Sequence, residues 1–546
     1  MNGFSNPLGL IDDAFETRPD DSIITGGTVL AGQFFRGDAA FFGGVEWRIN
    51  DEWTALAEYS SDAYDRETKL VGFDRESPLN FGVAWQPNSS YQLGAYYMYG
   101  TDLGFSATFV IDPTSAKFPS GMETSPIPVA PRGASLAAAA SWDTPQVQAE
   151  SVNALGPIMD ALGFRLIAAE ITGSTMRVRY QNNDFRAEAQ GVGRVARLLT
   201  PFAPANVETF ILEPIQRGIA LSAVTLRRGD LEMLENAPNA AALSYDRAGF
   251  SDAAGPAPTI GWDDPTPAFL WGVAPYLEIT LFDGNKPARG DVGLEASFEY
   301  ELRPNLILSG AYRQRILGNR DEVGSIARST LPPVRHEGQR YGAESGGGIE
   351  NLSLSWYGRP GRDLYSRVSL GYLERMYGGV SAEVLWKPVD SQFALGAEVN
   401  YATQRDFDLG FGFQDYDAVT GHVSAYYDFD NGFEAQVDIS QYLAGDIGAT
   451  FSLDREFENG WKVGAYFTLT DVPFDDFGEG SFDKGIRIEI PADWLFGAPS
   501  RDTNVTNLSS LSRDGGAWLN IEGRLYDVVE GGHQGQMAEN WGRFWR

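Results

Sequence analysis

Cysteine is absent from this chain, which excludes disulfides, thiolate zinc sites, iron–sulfur ligation and cysteine nucleophiles. Histidine is nearly absent: His336, His422 and His533 stand far apart and form no HExxH-type pair, so a histidine metal centre has little to build on. Basic residues are few, 42 Lys and Arg against 74 Asp and Glu, for a net charge of −32. A phosphate backbone needs a basic surface to displace its counterions, so nucleic acid is not an expected partner. No run approaches the ~18 apolar residues of a membrane helix. The opening MNGFSNPLGLIDDAFETRPDD has no basic stretch followed by an apolar one, so no export signal is read there. No cofactor or metal is expected from this inventory.

What is present is a period of two. In FEAQVDIS (433–440), Phe433, Ala435, Val437 and Ile439 alternate with Glu434, Gln436, Asp438 and Ser440, giving one greasy and one wet sheet face. GLEASFEYEL (293–302) reads the same way, as do the runs Val380–Trp386, Phe393–Tyr401 and Trp461–Leu469. After residue 265 about thirteen such segments of roughly eight to twelve residues are separated by turns such as DFDNGF and REFENGW. That length suits a transmembrane strand better than a soluble sandwich strand. Trp271, Trp356, Tyr372, Tyr377, Trp386, Tyr426, Tyr427, Trp461 and Trp518 fall near expected strand ends, as the aromatic girdles of an outer-membrane barrel require.

A shorter set, from GTVLAGQFF through LGFSATFVI, occupies residues 27–111; six strands fall short of the eight of the smallest bacterial barrels. Between the sets lies a Pro-rich linker, TSPIPVAPRGAS (124–135), followed by helical spacing at Val147–Leu162 and Phe185–Leu199. Three short strands, RLIAAEIT, TMRVRYQ and VETFILEPI, flank the second helix. The expected fold is mainly β, with transmembrane antiparallel barrels in tandem, the first incomplete, and a small α+β module. The divisions are 1–123 for the end of a first barrel, 124–240 for linker and module, 241–528 for a second barrel, and 529–546 for a tail.

Several blocks resemble one family. SNPLGLIDDAF, FFRGDAAFFGGVEW, MYGGVSAEVLWKP, FGFQDYDAVTGHVSAYYDF, FTLTDVPFDDFGEGSFDKGI and LSRDGGAWLNIEGRLYD together resemble the YjbH family, which includes the GfcD-type proteins of group 4 capsule clusters. The resemblance implies an outer-membrane protein of two barrels joined through a periplasmic α/β module. It further implies work in exopolysaccharide export with small periplasmic and lipoprotein partners. It brings no catalytic motif. Members carry a signal peptide and further strands ahead of NPLGLIDD, so a truncated gene or fragment is expected here.

Outer-membrane lipid and exopolysaccharide are therefore the expected partners. The candidate lumen residues are Glu295, Glu299, Glu398, Asn400, Glu434, Gln436 and Asp438, an acidic lining able to hydrogen-bond sugar hydroxyls. A plugged lumen in a docking or assembly factor is the other form of this reading. Asp475, Asp476, Glu479 and Asp483 mark a candidate rim loop. WLNIEGRLYDV, with Gly523, Tyr526 and Val528, is expected as a last strand carrying a partial barrel-assembly signal; the tail beyond is read as an anchor, a plug or a loose end. The expected function is non-catalytic; the alternatives are a β-rich polysaccharide-degrading enzyme using a carboxylate pair, or a general porin or adhesin.

Overall fold

The fold is that of a computed structural model. It describes residues 4–17, 35–62, 64, 75–115, 123–132, 144–262, 269–283, 286–320, 330–473, 482–509 and 514–546. The chain divides into two compact units, Met1–Ala116 and Lys117–Arg546.

The first unit holds an antiparallel meander of five strands: β1 (Phe42–Arg48), β2 (Trp53–Ser60), β3 (Leu79–Asn88), β4 (Tyr91–Met98) and β5 (Asp102–Phe109). These follow the expected segments; GTVLAGQFF lies almost wholly outside the described residues. Alternation sorts the faces. Val45, Trp47, Phe81, Leu93, Phe105 and Phe109 are exposed on one. Gly44, Gly82, Ala84, Gly94 and Ser106 lie on the other, in register across the strands.

The second unit begins with an α/β module. Its strands are β6 (Phe164–Thr172), β7 (Thr175–Asn182), β8 (Thr209–Gln216), β9 (Ile219–Ala220), β10 (Ala223–Arg227), β11 (Gly249–Ser251) and β12 (Ile260–Gly261). They form one sheet in the order β11-β10-β8-β7-β6-β12, with β9 paired to β8. β7 and β8 are parallel, a pairing that needs a crossover, supplied by the helix Glu188–Phe202. This helix is buried almost throughout and packs with the helix Pro145–Asp160 over the sheet, burying Val152, Leu155, Met159, Val192, Val195 and Leu199. The sheet runs to Gly261, so the module extends past residue 240.

The rest is one antiparallel meander of thirteen strands. These are β13 (Phe269–Asp283), β14 (Lys286–Arg303), β15 (Leu306–Gly318), β16 (Gly347–Gly361), β17 (Leu364–Tyr372), β18 (Tyr377–Trp386) and β19 (Phe393–Arg405). They continue with β20 (Phe413–Asp428), β21 (Phe433–Gln441), β22 (Ile447–Glu456), β23 (Lys462–Thr470), β24 (Asp483–Pro491) and β25 (Thr503–Ser509). Among the described residues β13 and β25 are the two ends of the sheet and do not pair. Tight turns join the hairpins: Asp430 and Gly432 take φ of 53° and 78° between β20 and β21, left-handed values that short polar residues and glycine reach most easily.

The two faces of this sheet differ completely. Along β19, Phe393, Leu395, Val399 and Tyr401 are exposed while Ala394, Glu398, Asn400 and Gln404 are buried. The apolar face is thus the outer one, and the polar face is the covered one. Trp271, Trp356, Trp386 and Tyr427 are exposed as girdle positions would be, but Tyr377, Tyr426 and Trp461 are buried and Trp518 lies in no strand. Two of these tips are claimed by internal partners, Trp518 Nε1 by Thr450 at 3.2 Å and Tyr377 Oη by the Val334 carbonyl at 3.3 Å.

Candidate functional site

The covered face is occupied by the chain's own C-terminal segment. Residues 514–533 touch strands from β16 to β23, which requires the sheet to curl around them. The path is legible contact by contact. Asp514 pairs with His336, in the long 319–346 connection, and Gly516 N donates to Asp446 at 2.8 Å. Arg524 reaches Glu398 in β19 at 3.1 Å, Leu525 N donates to Glu383 in β18 at 3.1 Å, and Tyr526 Oη donates to Glu434 in β21 at 3.1 Å. His533 and Tyr365 of β17 meet at 2.9 Å, and Gln534 N donates to the Val389 carbonyl at 3.0 Å.

This corrects the expected last strand. Residues 525–529 are helical, and Gly523 sits at φ 70° in a turn. The physical reason is visible in the sequence itself: Leu525–Tyr526 and Val528–Val529 are adjacent buried pairs, which a period of two cannot place on one face. The tail is likewise neither loose nor an interfacial anchor. Met537, Trp541 and Phe544 join the core of the α/β module, and Arg197 donates to the carbonyls of Phe544, Trp545 and Arg546 at 3.2, 2.9 and 2.8 Å.

All seven candidate lumen residues lie on the inner face, and five of them are brought together. Register places Arg367, Glu383, Glu398 and His422 side by side across β17 to β20. Arg367 bonds Glu383 and Glu398, each at 2.9 Å, and Arg524 adds a second guanidinium on Glu398. Asn400 donates to Glu398 and Thr420 at 3.0 and 3.1 Å. Ser424 and Gln436 donate to Asp438 at 2.5 and 2.9 Å. A buried carboxylate needs such partners, because desolvation otherwise outweighs any gain. Glu295 and Glu299 stand apart, held by Arg313 at 2.5 Å and by Arg217 of the module at 3.3 Å. Glu398 is thus paired with two arginines, whereas Asp438 and Glu434 are held by hydroxyl and amide donors; the space beside His422 and Trp518 is about 10 Å³, roughly one water. Sequence reasoning missed Arg367, Arg405 and Arg524: Arg367 becomes a partner only once register sets it opposite Glu383, Arg405 bonds the carbonyls of Glu374 and Leu409, outside the strands, and Arg524 reaches Glu398 only after the segment has turned inward.

In the rim loop, Asp483 opens β24 opposite Thr468; Asp475, Asp476 and Glu479 lie outside the described residues. Among the described residues no cluster of His, Asp and Glu has metal-ligand geometry.

The module docks on one end of the curled sheet. Its contacts fall on the turns 304–305, 361–364, 387–392, 429–432 and 457–461 and on the 492–502 connection. Asp252 accepts from Asp363 N at 3.0 Å, Glu539 from Gly432 N at 2.8 Å, and Glu188 pairs with Arg501 at 3.0 Å. The longest connection, 319–346, is at the opposite end.

The sequence has relatives among known proteins. The YjbH family model, described as "Exopolysaccharide biosynthesis protein YbjH", matches residues 1–531. The chain belongs to the YjbH family. Its role is accordingly in exopolysaccharide biosynthesis. It is 27% identical to the uncharacterized lipoprotein YjbH of Escherichia coli K12, over 96% of this chain and 75% of that one. Among solved structures, it is similar to a Salmonella typhi OmpF complex with daunomycin, at 11% identity and a TM-score of 0.24 over 44% of this chain and 96% of that one. A loop-deleted OmpT, an outer-membrane protein of Vibrio cholerae, gives 11% identity and a TM-score of 0.21 over 41% and 86%. At such TM-scores neither likeness carries weight beside YjbH membership.

Proposed function

We propose that this YjbH-family chain is a non-catalytic outer-membrane component of exopolysaccharide export or assembly, its thirteen-stranded sheet set in lipid and its α/β module in the periplasm. One observation carries the reading: the outer face of the sheet is continuously apolar and exposed. Trp271, Val273 and Leu277 of β13, Val399 of β19, Val423 of β20, Ile439 of β21, Leu453 of β22 and Leu469 of β23 all stand uncovered. A soluble protein rarely leaves more than a few hundred Å² of contiguous apolar surface in water, whereas a lipid-facing barrel wall consists of it.

Orientation follows from the ends. Outer-membrane barrels have short periplasmic turns and longer extracellular loops, and the module docks on the end opposite the 319–346 connection. The passive character is supported by the interior, where Glu383 and Glu398 are each held by arginine and neither is left poised as a general acid. Occupation of the inner face by residues 514–533 favours an assembly or docking role, or a path that opens when that segment moves, over a standing pore.

The test has two parts. The protein should fractionate with outer membrane and migrate faster on gels when unheated, the behaviour of a folded barrel. Deleting the gene should remove surface polymer while small-solute permeability stays unchanged. Solubility without detergent sinks the membrane reading; retained polymer sinks the export reading.

A further inference from the structure

Where the curled sheet meets the module, a cavity of about 410 Å³ opens between the β18–β19 turn, the end of β20, the C-terminal segment and the helix Gln534–Asn540. Its size is that of a site for a small organic molecule rather than a bare ion. Lys387 forms part of its wall and is only 4% exposed. Among the described residues its ammonium makes no hydrogen bond or close ion pair; its side-chain contact is the Tyr526 ring, 5.3 Å from the centroid. Burying N–H donors without acceptors is costly, and elsewhere in this interior buried cations are matched, Arg367 by carboxylates and Arg405 by backbone carbonyls. Two further wall groups share the deficit: Glu530 Oε2 and His533 Nδ1 are buried without hydrogen-bond partners.

The wall therefore presents an unmet donor beside unmet acceptors, framed by the apolar sides of Tyr526 and Tyr245. Five carboxylates, of Asp390, Asp428, Asp430, Glu530 and Glu539, surround the single ammonium. A uronate would meet those carboxylates, and a protonated amino sugar or metal ion would meet Lys387. A hydroxyl group suits both, since it donates to a carboxylate and accepts from an ammonium.

We propose that this cavity binds a neutral saccharide unit, a hexose or N-acetylhexosamine, with Lys387 donating to a sugar oxygen and Asp428 and Glu530 accepting sugar hydroxyls. The proposal rests on the exopolysaccharide reading above and gives it a point of contact at the module end of the sheet.

The test uses the full chain in detergent with methyl β-glucoside, methyl β-galactoside and N-acetylglucosamine as probes and glucuronate as the anionic control. Saturation transfer in the NMR spectrum should appear for at least one neutral probe and exceed that for glucuronate. Lys387→Met and Asp428→Asn should each weaken it about tenfold, the loss expected for one charge-assisted hydrogen bond. A measurement on the unaltered protein guards against misfolded variants: the bound probe should slow reductive methylation of Lys387, read by mass spectrometry. Absence of transfer from every neutral probe overturns the proposal, and so does methylation of Lys387 that proceeds equally with and without the sugar. Glucuronate binding as well as the neutral probes overturns it too. The export reading fails separately, through the deletion strain: retained surface polymer together with sugar binding removes the role and leaves the site standing.

Discussion

The two meanders use the same outer alternation and opposite inner chemistry. In the five-stranded sheet the inner face is small: Tyr96 lies across Gly82 and Gly94, where an added Cβ would come within 2.5 Å of it. Glu46 and Glu58 share that face and, among the described residues, make no ion pair. In the thirteen-stranded sheet the inner face carries Arg367, Arg405, Glu383, Glu398 and Asp438, each of them buried, and a returning segment completes the bonding of Glu383 and Glu398. The outer pattern therefore reports what surrounds a sheet, and the inner pattern reports what fills it. What separates the two is partnering: Glu383 and Glu398 are met by arginine and by the returning segment.

Removing the returning charge should break this contrast most severely. Arg524→Met leaves Glu398, whose side chain is wholly buried, with one guanidinium where it had two; breaking a buried pair from one side costs about 3–5 kcal/mol. Urea unfolding in detergent micelles should show that loss, whereas Glu46→Gln in the small sheet should stay within about 0.5 kcal/mol, as surface changes do. Equal effects would mean that the two inner faces do not differ in kind.

The outer faces should behave alike. Val399 is central in β19 and 57% exposed, and Val45 is central in β1 and 70% exposed. Arginine at a lipid-facing midplane position costs about 2–4 kcal/mol, so Val399→Arg and Val45→Arg should each lower folding yield into lipid vesicles. A cost at Val399 without one at Val45 would place only the larger sheet in lipid.

Next in size is Gly523→Ala. The glycine has φ 70°, and a Cβ there would run into Tyr357 Oη, combining left-handed strain with overpacking for about 1–3 kcal/mol. Limited proteolysis should then release the C-terminal segment earlier, with the five-stranded sheet unaffected.

Much of this was legible in the sequence, and for a definite reason. Period-two runs such as Phe393–Tyr401 mark strands because one face of each meets an apolar surrounding, and helical spacing at Val147–Leu162 marks the module's first helix. What stayed hidden depends on contacts distant in sequence. Gly523, Tyr526 and Val528 imitate a strand end because three residues cannot distinguish a strand from a turn followed by a helix. Trp541 and Phe544 look like a loose aromatic tail until Gly193 is seen to admit them, the Phe544 carbonyl oxygen standing where a Cβ would be. Lys387, too, is an ordinary residue after a strand until the cavity gathers around it.

The smallest expected effect concerns the far end of the segment, where only the larger sheet has anything to lose. Asp514 accepts from the backbone N–H groups of Arg335 and His336 at 2.9 and 3.2 Å, and its second oxygen meets His336 Nδ1. That hydrogen bond holds His336 above the ordinary histidine value near 6.5, against the opposing pull of burial. A group whose pKa is raised by folding adds stability that is fully present below its unfolded value and is lost as pH climbs through the folded one. Thermal melts should therefore show the segment weakening as pH rises from about 6.5, with His336→Gln flattening the dependence over that window and leaving the acidic limb unchanged. The five-stranded sheet contains no histidine and should show no such step; a step that persists in His336→Gln would assign the proton to another group.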